Sequence, residues 1–423
     1  MRQQATVSAA SSPAAHPRTA WIVTLSRPVD EPRVRRQADA LDRAGWNVVA
    51  VGYQGLAPKP PFWTLVEIPN VAHQARRAPL PVRALRRLLR AAQLFGTRFS
   101  AALAEHYYWA EQLHAQNLAD TLEAASAHGL RCDLVANHDF YTLPLAGSLA
   151  ERFGVPFTTD VHEYARGQYM HQLRFRLLYR HYVHALQKRF FPRAALLSVV
   201  CKGIADLLDA EYPLQRPSLV VRNVSSYEAM PFRPVGERVR VLYHGLLCDK
   251  RGLEEAVASL PLWREEFELV LRGPGDAVYV ESLRRLAAQH GVKRRLRFEP
   301  PVPLTELVAA ANHCDIGLFG SADYSPQKRF TAPNKLFEYL MAGLALCVSD
   351  LPEMRRVVLE HDLGRLLPSL EPQAIAATIN GFTRESIEQF KRKSLEAARV
   401  LCWETEREPL VRAYRSIASD KIP

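Results

Sequence analysis

The sequence lacks the short motifs that identify many enzymes of its size. No G-x-G-x-x-G follows its first apolar segment, and the 423 residues contain no P-loop, no H-E-x-x-H and no G-x-S-x-G. An Asp-x-Asp pair, which could build a metal–diphosphate site, is also absent. We therefore expect chemistry that requires neither a metal ion nor a bound cofactor.

The sequence is also poor in cysteine and has no long apolar run. Its six cysteines are scattered without a Cys-x-x-Cys pair, which indicates reduced thiols in a cytosolic protein rather than disulfides or a zinc site. No run of 18 apolar residues predicts a membrane span. The Ala-, Ser- and Pro-rich residues 1–18 lack the apolar core of a signal peptide and are predicted to be a disordered tail.

What the sequence does contain is typical of a globular protein with two domains. Hydrophobic residues make up 48 % and charged residues 23 % of the chain, and its 423 residues fit two domains of about 200 each. The 55 Lys and Arg residues exceed the 44 Asp and Glu residues, which gives a formal net charge of +11. This excess favours anionic partners: nucleic acid, phosphorylated small molecules or an acidic membrane surface.

Short apolar strands alternate with helical segments along both halves of the chain. "AWIVTLS", "WNVVAVGY" and "ALLSVVC" are examples in the first half, and "VRVLYHGLL" and "LALCVSD" are examples in the second. This pattern predicts an α/β fold with two doubly wound parallel sheets, whose ligands bind at the carboxyl ends of the strands. The predicted units are residues 19–222, a linker at 223–236, residues 237–400, and a last helix at 401–423 that packs back on the first domain.

Two places in the second half have the composition of a phosphate-binding site. In "YHGLLCDKRG" a strand ends at the turn residue Gly245, and Lys250 and Arg251 precede the next helix. The second place is the start of the helix at Asn334, where Asn334 is a candidate N-cap and Lys335 adds a positive charge to the helix dipole. A diphosphate could bind between them, although Lys250 and Arg251 could equally form a solvated loop tip.

Glu338 is the one carboxylate in an otherwise apolar helical run, about one turn after Asn334. It could lie on the solvent face of the helix. Alternatively, it lies near the same end as the phosphate site, where a carboxylate would repel phosphate but would accept hydrogen bonds from two vicinal hydroxyl groups. This second interpretation suits a nucleotide, with its phosphates on the helix end and its ribose on Glu338.

Five segments in family order resemble the retaining family-4 glycosyltransferases of the GT-B fold, the "glycosyl transferases group 1" type. They extend over most of the chain and are "DEPRVRRQADALDRAGWNVVAV", "NHDFYTLPLAGSLAERFGVPFTTDVHEY", "VLYHGLLCDKRGLEEAV", "PNKLFEYLMAGLALCVSD" and "CWETEREPLVRAYRSI". The resemblance implies two Rossmann-like domains that face each other across a cleft. It also implies a nucleotide-sugar donor bound by the second domain and an acceptor bound by the first.

The resemblance assigns roles to single residues. Glu338 matches the glutamate that binds the donor ribose, and Arg251 matches the basic residue beside the diphosphate. His162 lies where the family places a histidine near the donor sugar and the reacting centre. Two positions depart from the family: Leu246 replaces a common arginine, and Phe330 replaces the first glutamate of a Glu-x7-Glu pair. These departures leave open which sugar the donor carries and how active the enzyme is.

The same resemblance implies a retaining transfer by attack from the front face. Arg251, Lys335 and the helix end would stabilise the leaving diphosphate without metal, and His162 would position the sugar. A purely structural, hydrogen-bonded His162 is the alternative. Three neighbouring residues are predicted to be packing or capping groups rather than catalysts: Asp160, Glu163 and His138.

Two stretches of the first half are basic and apolar, with no acidic residue. They are residues 76–98, which carry seven arginines among leucines and a phenylalanine, and residues 166–193, which are basic and aromatic. Such segments could contact an anionic membrane, which would suit a cytoplasmic enzyme at the inner face of the cell membrane with a lipid-linked saccharide acceptor. They could equally be solvated helices that pack on the domain.

The predicted function is therefore glycosyl transfer from a nucleotide sugar in the synthesis of a surface or secreted polysaccharide. Two other classes stay open at this stage. A nucleic-acid-binding protein would use the net positive charge, although no known nucleic-acid module is visible. A non-catalytic relative would have kept the fold and lost turnover, and Phe330 is the residue that favours this alternative.

Overall fold

A computed structural model of the chain describes residues 17–56, 62–68, 80–111, 113–127 and 129–419. Of the predicted tail, residues 1–16 lie outside the described residues, as does the start of the first basic stretch, residues 76–79.

Seven parallel strands form the first sheet, in the order β3-β2-β1-β4-β5-β6-β7. The strands are β1 (Thr19–Val23), β2 (Asn47–Tyr53), β3 (Thr64–Ile68), β4 (Leu134–His138), β5 (Phe157–Val161), β6 (Leu196–Val199) and β7 (Leu219–Val220). Strands β1, β4, β5 and β6 are buried along their whole length, which explains why they are largely apolar. The polar residues near the ends of β4 and β5, such as Asn137 and Asp160, are buried as well.

Six parallel strands form the second sheet, in the order β10-β9-β8-β11-β12-β13. The strands are β8 (Val239–His244), β9 (Phe267–Arg272), β10 (Leu296–Glu299), β11 (Ile316–Phe319), β12 (Ala345–Ser349) and β13 (Gly364–Leu367). The predicted fold class, an α/β protein with two doubly wound parallel sheets, is confirmed. Among the described strands, the sequence did not predict β3, β7 and β13, which are edge strands with partly exposed residues.

Helices connect the strands of both sheets. The first half contains α1 (Pro32–Arg43), α2 (Leu80–Gly96), α3 (Ala101–Glu111), α4 (Leu113–Ala127), α5 (Leu143–Phe153), α6 (Arg180–Phe190) and α7 (Lys202–Glu211). The second half contains α8 (Leu253–Ser259), α9 (Ala277–Gln289), α10 (Leu307–Ala311), α11 (Pro326–Arg329), α12 (Asn334–Met341), α13 (Pro352–His361), α14 (Pro372–Asn380), α15 (Arg384–Ala398) and α16 (Trp403–Ser419). None of these described helices combines the length and apolar character that a membrane span requires.

The last helix joins the two halves. Residues 221–236 contain neither helix nor strand, and after them the chain builds the second sheet. Helix α16 then packs against α1. The Thr158 hydroxyl of β5 donates a hydrogen bond to the Tyr414 hydroxyl of α16 over 3.0 Å. Arg222 forms an ion pair of 2.6 Å with Glu406, so helix α16, which follows the second sheet, packs on residues of the first half.

Candidate active site

A buried ion pair lies at the carboxyl end of the first sheet. Asp160 is near the end of β5, and the Arg33 guanidinium of α1 donates two hydrogen bonds of 2.5 and 2.7 Å to its carboxylate. Both side chains are almost fully buried, and the Ser198 hydroxyl donates a third bond of 2.6 Å to Asp160. Burial alone would raise the pKa of Asp160, but the adjacent guanidinium holds it well below the usual range, so Asp160 is ionised.

His162 follows β5 and is surrounded by carboxylates. Its Nε2 lies 3.0 Å from Asp160, and its Nδ1 lies 3.3 Å from Asp139. Burial opposes the charged imidazolium, but the two carboxylates outweigh it, and the pKa of His162 is raised above its ordinary value. The two carboxylates thus favour the positively charged form of His162 at the end of the first sheet, and 15 % of its side chain remains accessible.

His138 at the end of β4 is the neutral member of this group. Its Nδ1 lies 3.0 Å from Nε2 of His162. Complete burial lowers the pKa of His138 to about 3, although the Asp160 carboxylate opposes that change. Its Nε2 has no hydrogen-bond partner among the described residues. A neutral His138 that accepts at Nδ1 fits a protonated His162 that donates from Nε2.

The ligand atoms of His138, Asp160 and His162 lie close enough together to hold a metal ion. The charges argue against this use, because Arg33 already neutralises Asp160 through two direct hydrogen bonds. A divalent cation would have to displace or approach that buried guanidinium. We therefore interpret these residues, together with Arg33, as an ion-pair network that holds His162 in place.

At the facing end of the second sheet, Glu338 of α12 contacts a histidine that sequence reasoning missed. His244 is the last residue of β8, is 1 % exposed, and lies with Nε2 2.8 Å from Oε2 of Glu338. Glu338 itself is 17 % exposed, so it does not lie on the open solvent face of the helix. A carboxylate can accept about four hydrogen bonds, so one contact leaves Glu338 able to bind hydroxyl groups.

Gly245 makes room for a lysine at this end of the sheet. Its φ angle is +114°, and a Cβ atom there would lie 2.7 Å from Cε and Nζ of Lys335. Any other residue would displace the lysine side chain, whose ammonium group also lies 5.4 Å from the ring centre of Tyr243. Sequence reasoning selected Gly245 as a turn residue, and the structure adds its close approach to Lys335.

Three cations of the second half, Arg251, Lys328 and Lys335, lie close enough for their charges to interact. Burial and then the charge of Arg251 lower the pKa of both Lys335 and Lys328. No carboxylate among the described residues forms an ion pair with any of the three. Lys328 of α11 is a third cation that sequence reasoning missed. Lys250 lies exposed beside Arg251, with a left-handed φ of +60°.

The prediction that Asn334 caps its helix is wrong. The cap position is Pro333, no side chain caps the helix, and Asn334 is the first residue of α12. The extended Pro333 takes the cap position, so the helix begins one residue earlier than the predicted cap at Asn334 implies. Asn334 is exposed and remains at the end of α12 that carries Lys335.

A cavity of about 310 Å³ separates the two halves of this site. His162 and Glu163 line it from the first half, and burial raises the pKa of Glu163. Residues 330–334 line it from the second half. The cavity therefore brings His162 and Asn334 of the predicted site together, with Lys335 and Glu338 following on α12.

Phe330, which departs from the family pattern, packs between the halves. A Cβ atom on Gly203 at the start of α7 would lie 2.1 Å from the Phe330 ring, so the contact requires a glycine. The Cys201 thiol donates a hydrogen bond of 3.1 Å to the Phe330 carbonyl oxygen. Phe330 therefore forms an apolar contact with the first domain at a position where the family pattern has a carboxylate.

Two parallel Rossmann-like sheets that share a cavity at their carboxyl ends define a protein of the GT-B class. The family model "Glycosyl transferase 4-like domain" matches residues 31–224, and the model "Glycosyl transferases group 1" matches residues 238–384. Together they match most of the chain. The chain belongs to the group 1 glycosyltransferases of family GT4, enzymes of class EC 2.4, and the predicted family and fold are confirmed.

Known proteins support this assignment at low sequence identity. A phosphatidyl-myo-inositol mannosyltransferase of Mycobacterium leprae is 26 % identical over 183 residues, which are 40 % of this chain and 44 % of that protein. The match thus spans less than half of that relative.

Two solved structures share the fold over nearly the whole chain. Sucrose-phosphate synthase from Thermosynechococcus elongatus has a TM-score of 0.69 at 14 % identity, over 96 % of this chain and all of that one. Anabaena HepE in complex with UDP and glucose has a TM-score of 0.63 at 13 % identity, over 95 % of this chain and all of that one. At these identities the likeness establishes the fold alone.

Proposed function

We propose that this glycosyltransferase moves a sugar from a nucleoside diphosphate to an acceptor in the cavity between its two halves. The observation that carries the proposal is the charge at the end of the second sheet. Arg251, Lys328 and Lys335 lie there without carboxylate ion-pair partners among the described residues, while their mutual repulsion and burial lower the pKa of both lysines. An anionic ligand would relieve that repulsion.

The donor diphosphate would bind beside Lys335 and Arg251, where Arg251 can offer two parallel hydrogen bonds. Gly245 admits the lysine side chain, and Lys250 lies at the outer rim. Glu338, one turn along α12, would accept hydrogen bonds from the ribose hydroxyls. UDP is the first nucleotide to test, because the similarly folded HepE was solved with UDP.

The sugar would then lie in the cavity, between the cations of the second half and His162 of the first half. Transfer leaves negative charge on the diphosphate and develops positive charge on the sugar. Lys335 and Arg251 stabilise the leaving group without metal, and the anomeric configuration is retained by attack from the front face. His162, whose two ring nitrogens face Asp160 and Asp139, would position the sugar by contact with the accessible part of its ring.

The acceptor would be a lipid-linked saccharide. The mycobacterial relative supports this class, because its name describes mannosyl transfer to a phosphatidyl-inositol lipid. The product would contribute to a surface or secreted polysaccharide. We place the enzyme in the cytoplasm at the inner face of the cell membrane.

The two basic stretches of the first half meet on one side of the domain, as a membrane-binding surface requires. The Arg98 guanidinium after α2 donates a hydrogen bond of 3.0 Å to His181 of α6. Large apolar side chains stay exposed on both stretches, including Leu88 at 69 % and Leu173 at 60 %. Exposed leucines among arginines suit the interface of an anionic bilayer.

Vesicle flotation tests the membrane contact. We expect binding to vesicles with anionic lipid, weaker binding at high salt, and clear loss of binding in the double variant Leu88→Ser/Leu173→Ser. Arg285→Gln, on the exposed face of α9, is the control and should bind as the wild type does. Equal flotation of wild type and double variant would exclude this surface.

The reaction itself is tested by incubating the protein with a panel of nucleotide sugars, with and without EDTA. Release of a nucleoside diphosphate from one donor, at the same rate with chelator, would support the proposed metal-independent transfer. Binding of nucleotide without turnover, in the presence of acceptor lipids, would instead favour a relative that has lost activity through Phe330. Binding of none of the nucleotides would overturn the proposal.

A further inference from the structure

A second cavity, of about 320 Å³, lies within the first half and is lined mainly by tyrosines. Six of its eleven lining residues are tyrosines, although the whole chain has only 15. They are Tyr107, Tyr108, Tyr141, Tyr169, Tyr179 and Tyr182. The second basic stretch therefore turns part of its aromatic side chains toward a cavity, in addition to any contact with a membrane.

This cavity lies beside the reacting centre. Phe140 and Tyr141 line it and follow directly after His138 and Asp139 at the end of β4. Its lining also includes Tyr169, seven residues after His162. The two strand ends that hold His162 thus continue into the walls of the cavity, so a molecule bound there would be next to the donor sugar.

The walls combine ring faces with polar atoms. Tyr107 and Tyr182 pack edge to face with ring centres 5.2 Å apart, and Tyr169 packs in the same way against Phe175 at 5.5 Å. At the edge of the cavity, the Glu111 carboxylate accepts an ion-pair contact of 2.8 Å from Arg90. Such a lining offers flat apolar faces together with hydrogen-bonding groups.

One hydroxyl in this lining has no partner. Tyr108 is 1 % exposed, and its hydroxyl forms no hydrogen bond with any described residue. Burial raises the pKa of Tyr108 well above its ordinary value, so the group is a neutral hydroxyl. A buried polar atom without a partner is costly, and a bound ligand with hydroxyl groups would satisfy it.

We propose that the tyrosine-lined cavity binds a pyranose ring of the acceptor. This proposal rests on the proposed function and specifies its acceptor half. The C–H face of a sugar ring packs on aromatic faces, while its hydroxyls hydrogen-bond to phenol, amide and carboxylate groups such as Tyr108, Gln168 and Glu111. A lipid chain would instead need aliphatic walls, and among the lining residues only Val183 is aliphatic. The volume is near the small end of the range for ligand sites, roughly 300–1,000 Å³, which suits one or two sugar rings.

Saturation-transfer NMR tests the proposal with the methyl α- and β-pyranosides of glucose, mannose and galactose as probes. We expect transfer from the protein to the ring C–H protons of at least one probe. Tyr141→Ala removes a half-exposed ring and should abolish that signal, whereas Tyr141→Phe keeps the ring face and should retain it. Tyr227→Ala, which removes a similarly exposed tyrosine outside the cavity, is the matched control and should leave the signal unchanged.

Tyr108→Phe separates ligand binding from packing. If the hydroxyl bonds the sugar, the dissociation constant of the bound pyranoside should rise about fivefold, the worth of one hydrogen bond, while the melting temperature stays equal or rises. An unchanged dissociation constant would contradict the role of Tyr108. Loss of the signal in the Tyr227→Ala control would show non-specific contact and overturn the proposal.

Octyl phosphate serves as the probe for the alternative occupant, a lipid chain. Saturation transfer to the chain protons of octyl phosphate, with no signal from any methyl pyranoside, would overturn the sugar assignment. UDP binding measured on the same variants separates the two proposals. Normal UDP binding with no pyranoside signal would reject the acceptor cavity alone, whereas absence of UDP binding would reject the proposed function.

Discussion

The two ends of the active-site cavity differ in whether their charges are balanced by ion pairs. At the first sheet, the charges are matched: Arg33 neutralises Asp160, and His162 lies between Asp160 and Asp139. At the second sheet, three cations lie near one another without carboxylate ion pairs among the described residues, and burial together with the charge of Arg251 lowers the pKa of Lys335. The charges of one end are balanced by ion pairs, whereas the three cations of the other end have no such partners among the described residues.

This difference separates residues that serve stability from residues that serve binding. Removing one partner from the matched end leaves a buried charge alone, so the fold should suffer. Removing a cation from the unmatched end relieves repulsion, so the fold should not suffer, while the affinity for an anionic ligand should fall. The following variants test this separation, beginning with the largest expected effect.

Asp160→Asn removes the carboxylate that Arg33 and His162 contact at the matched end, the one at the first sheet. The Arg33 guanidinium would remain buried without its counter-charge, and we expect a loss of about 3–5 kcal/mol in the free energy of unfolding. Urea denaturation measures it. Asp206→Asn, in the exposed pair Lys202–Asp206 on α7, is the control and should cost less than about 1 kcal/mol. Equal small losses in both variants would show that the buried pair is not a stabilising centre.

Lys335→Met removes one cation from the unmatched end and keeps an unbranched side chain over Gly245. The melting temperature should stay the same or rise, because a buried, repelled charge is lost. The affinity for UDP should fall about 10- to 100-fold, the effect of losing a charged hydrogen bond of about 1.5–3 kcal/mol. Calorimetric titration measures this, with Lys202→Met as the control. A destabilised variant with unchanged UDP affinity would show that Lys335 serves stability rather than nucleotide binding.

The pH dependence of stability sharpens the comparison within the matched end. His138 has a folded pKa of about 3, below its ordinary 6.5, so its contribution is lost as the pH falls from 6.5 toward 3. His162 has a raised pKa, so its contribution is full below pH 6.5 and is lost as the pH rises through the folded value. We therefore expect opposite slopes from the two histidines.

Two variants serve as controls for each other in this measurement. Urea denaturation between pH 4 and 9 should show a shallower acidic slope in His138→Asn and a shallower slope above pH 6.5 in His162→Gln, relative to the wild type. Each variant should leave the slope of the other histidine largely intact. Parallel curves for all three proteins would contradict the assigned protonation states.

The sequence was sufficient to predict the sheets that position the site. Strands such as β1 and β12 are buried on both faces, so their sequences are continuous apolar runs, which are easy to recognise. The edge strand β13, "GRLL", alternates in exposure and has no such run. Gly245 and Lys335 could be selected because one follows a strand and the other begins a helix, positions where the local pattern itself indicates ligand binding. Glu338 could be selected because it is the one carboxylate in an apolar helical run.

The residues that the sequence did not predict are those linked by tertiary contacts. Arg33 lies in a helix with several arginines, and nothing local distinguishes the buried one from Arg35. His244 ends a strand 94 residues before Glu338, and Lys328 lies in a separate short helix. One signal was available: a buried aspartate such as Asp160 requires a cation, and the first helix offered one.

The central claim is that Glu338 binds the ribose of a nucleotide whose diphosphate lies on Lys335 and Arg251. The most direct test is calorimetric titration of wild type and Glu338→Ala with UDP and with 2′-deoxy-UDP. We predict that the wild type binds UDP more tightly than 2′-deoxy-UDP. In Glu338→Ala, UDP should bind about tenfold more weakly, and the preference for the ribose hydroxyl should disappear. A variant that binds UDP as the wild type does, with the same preference, would contradict the claim.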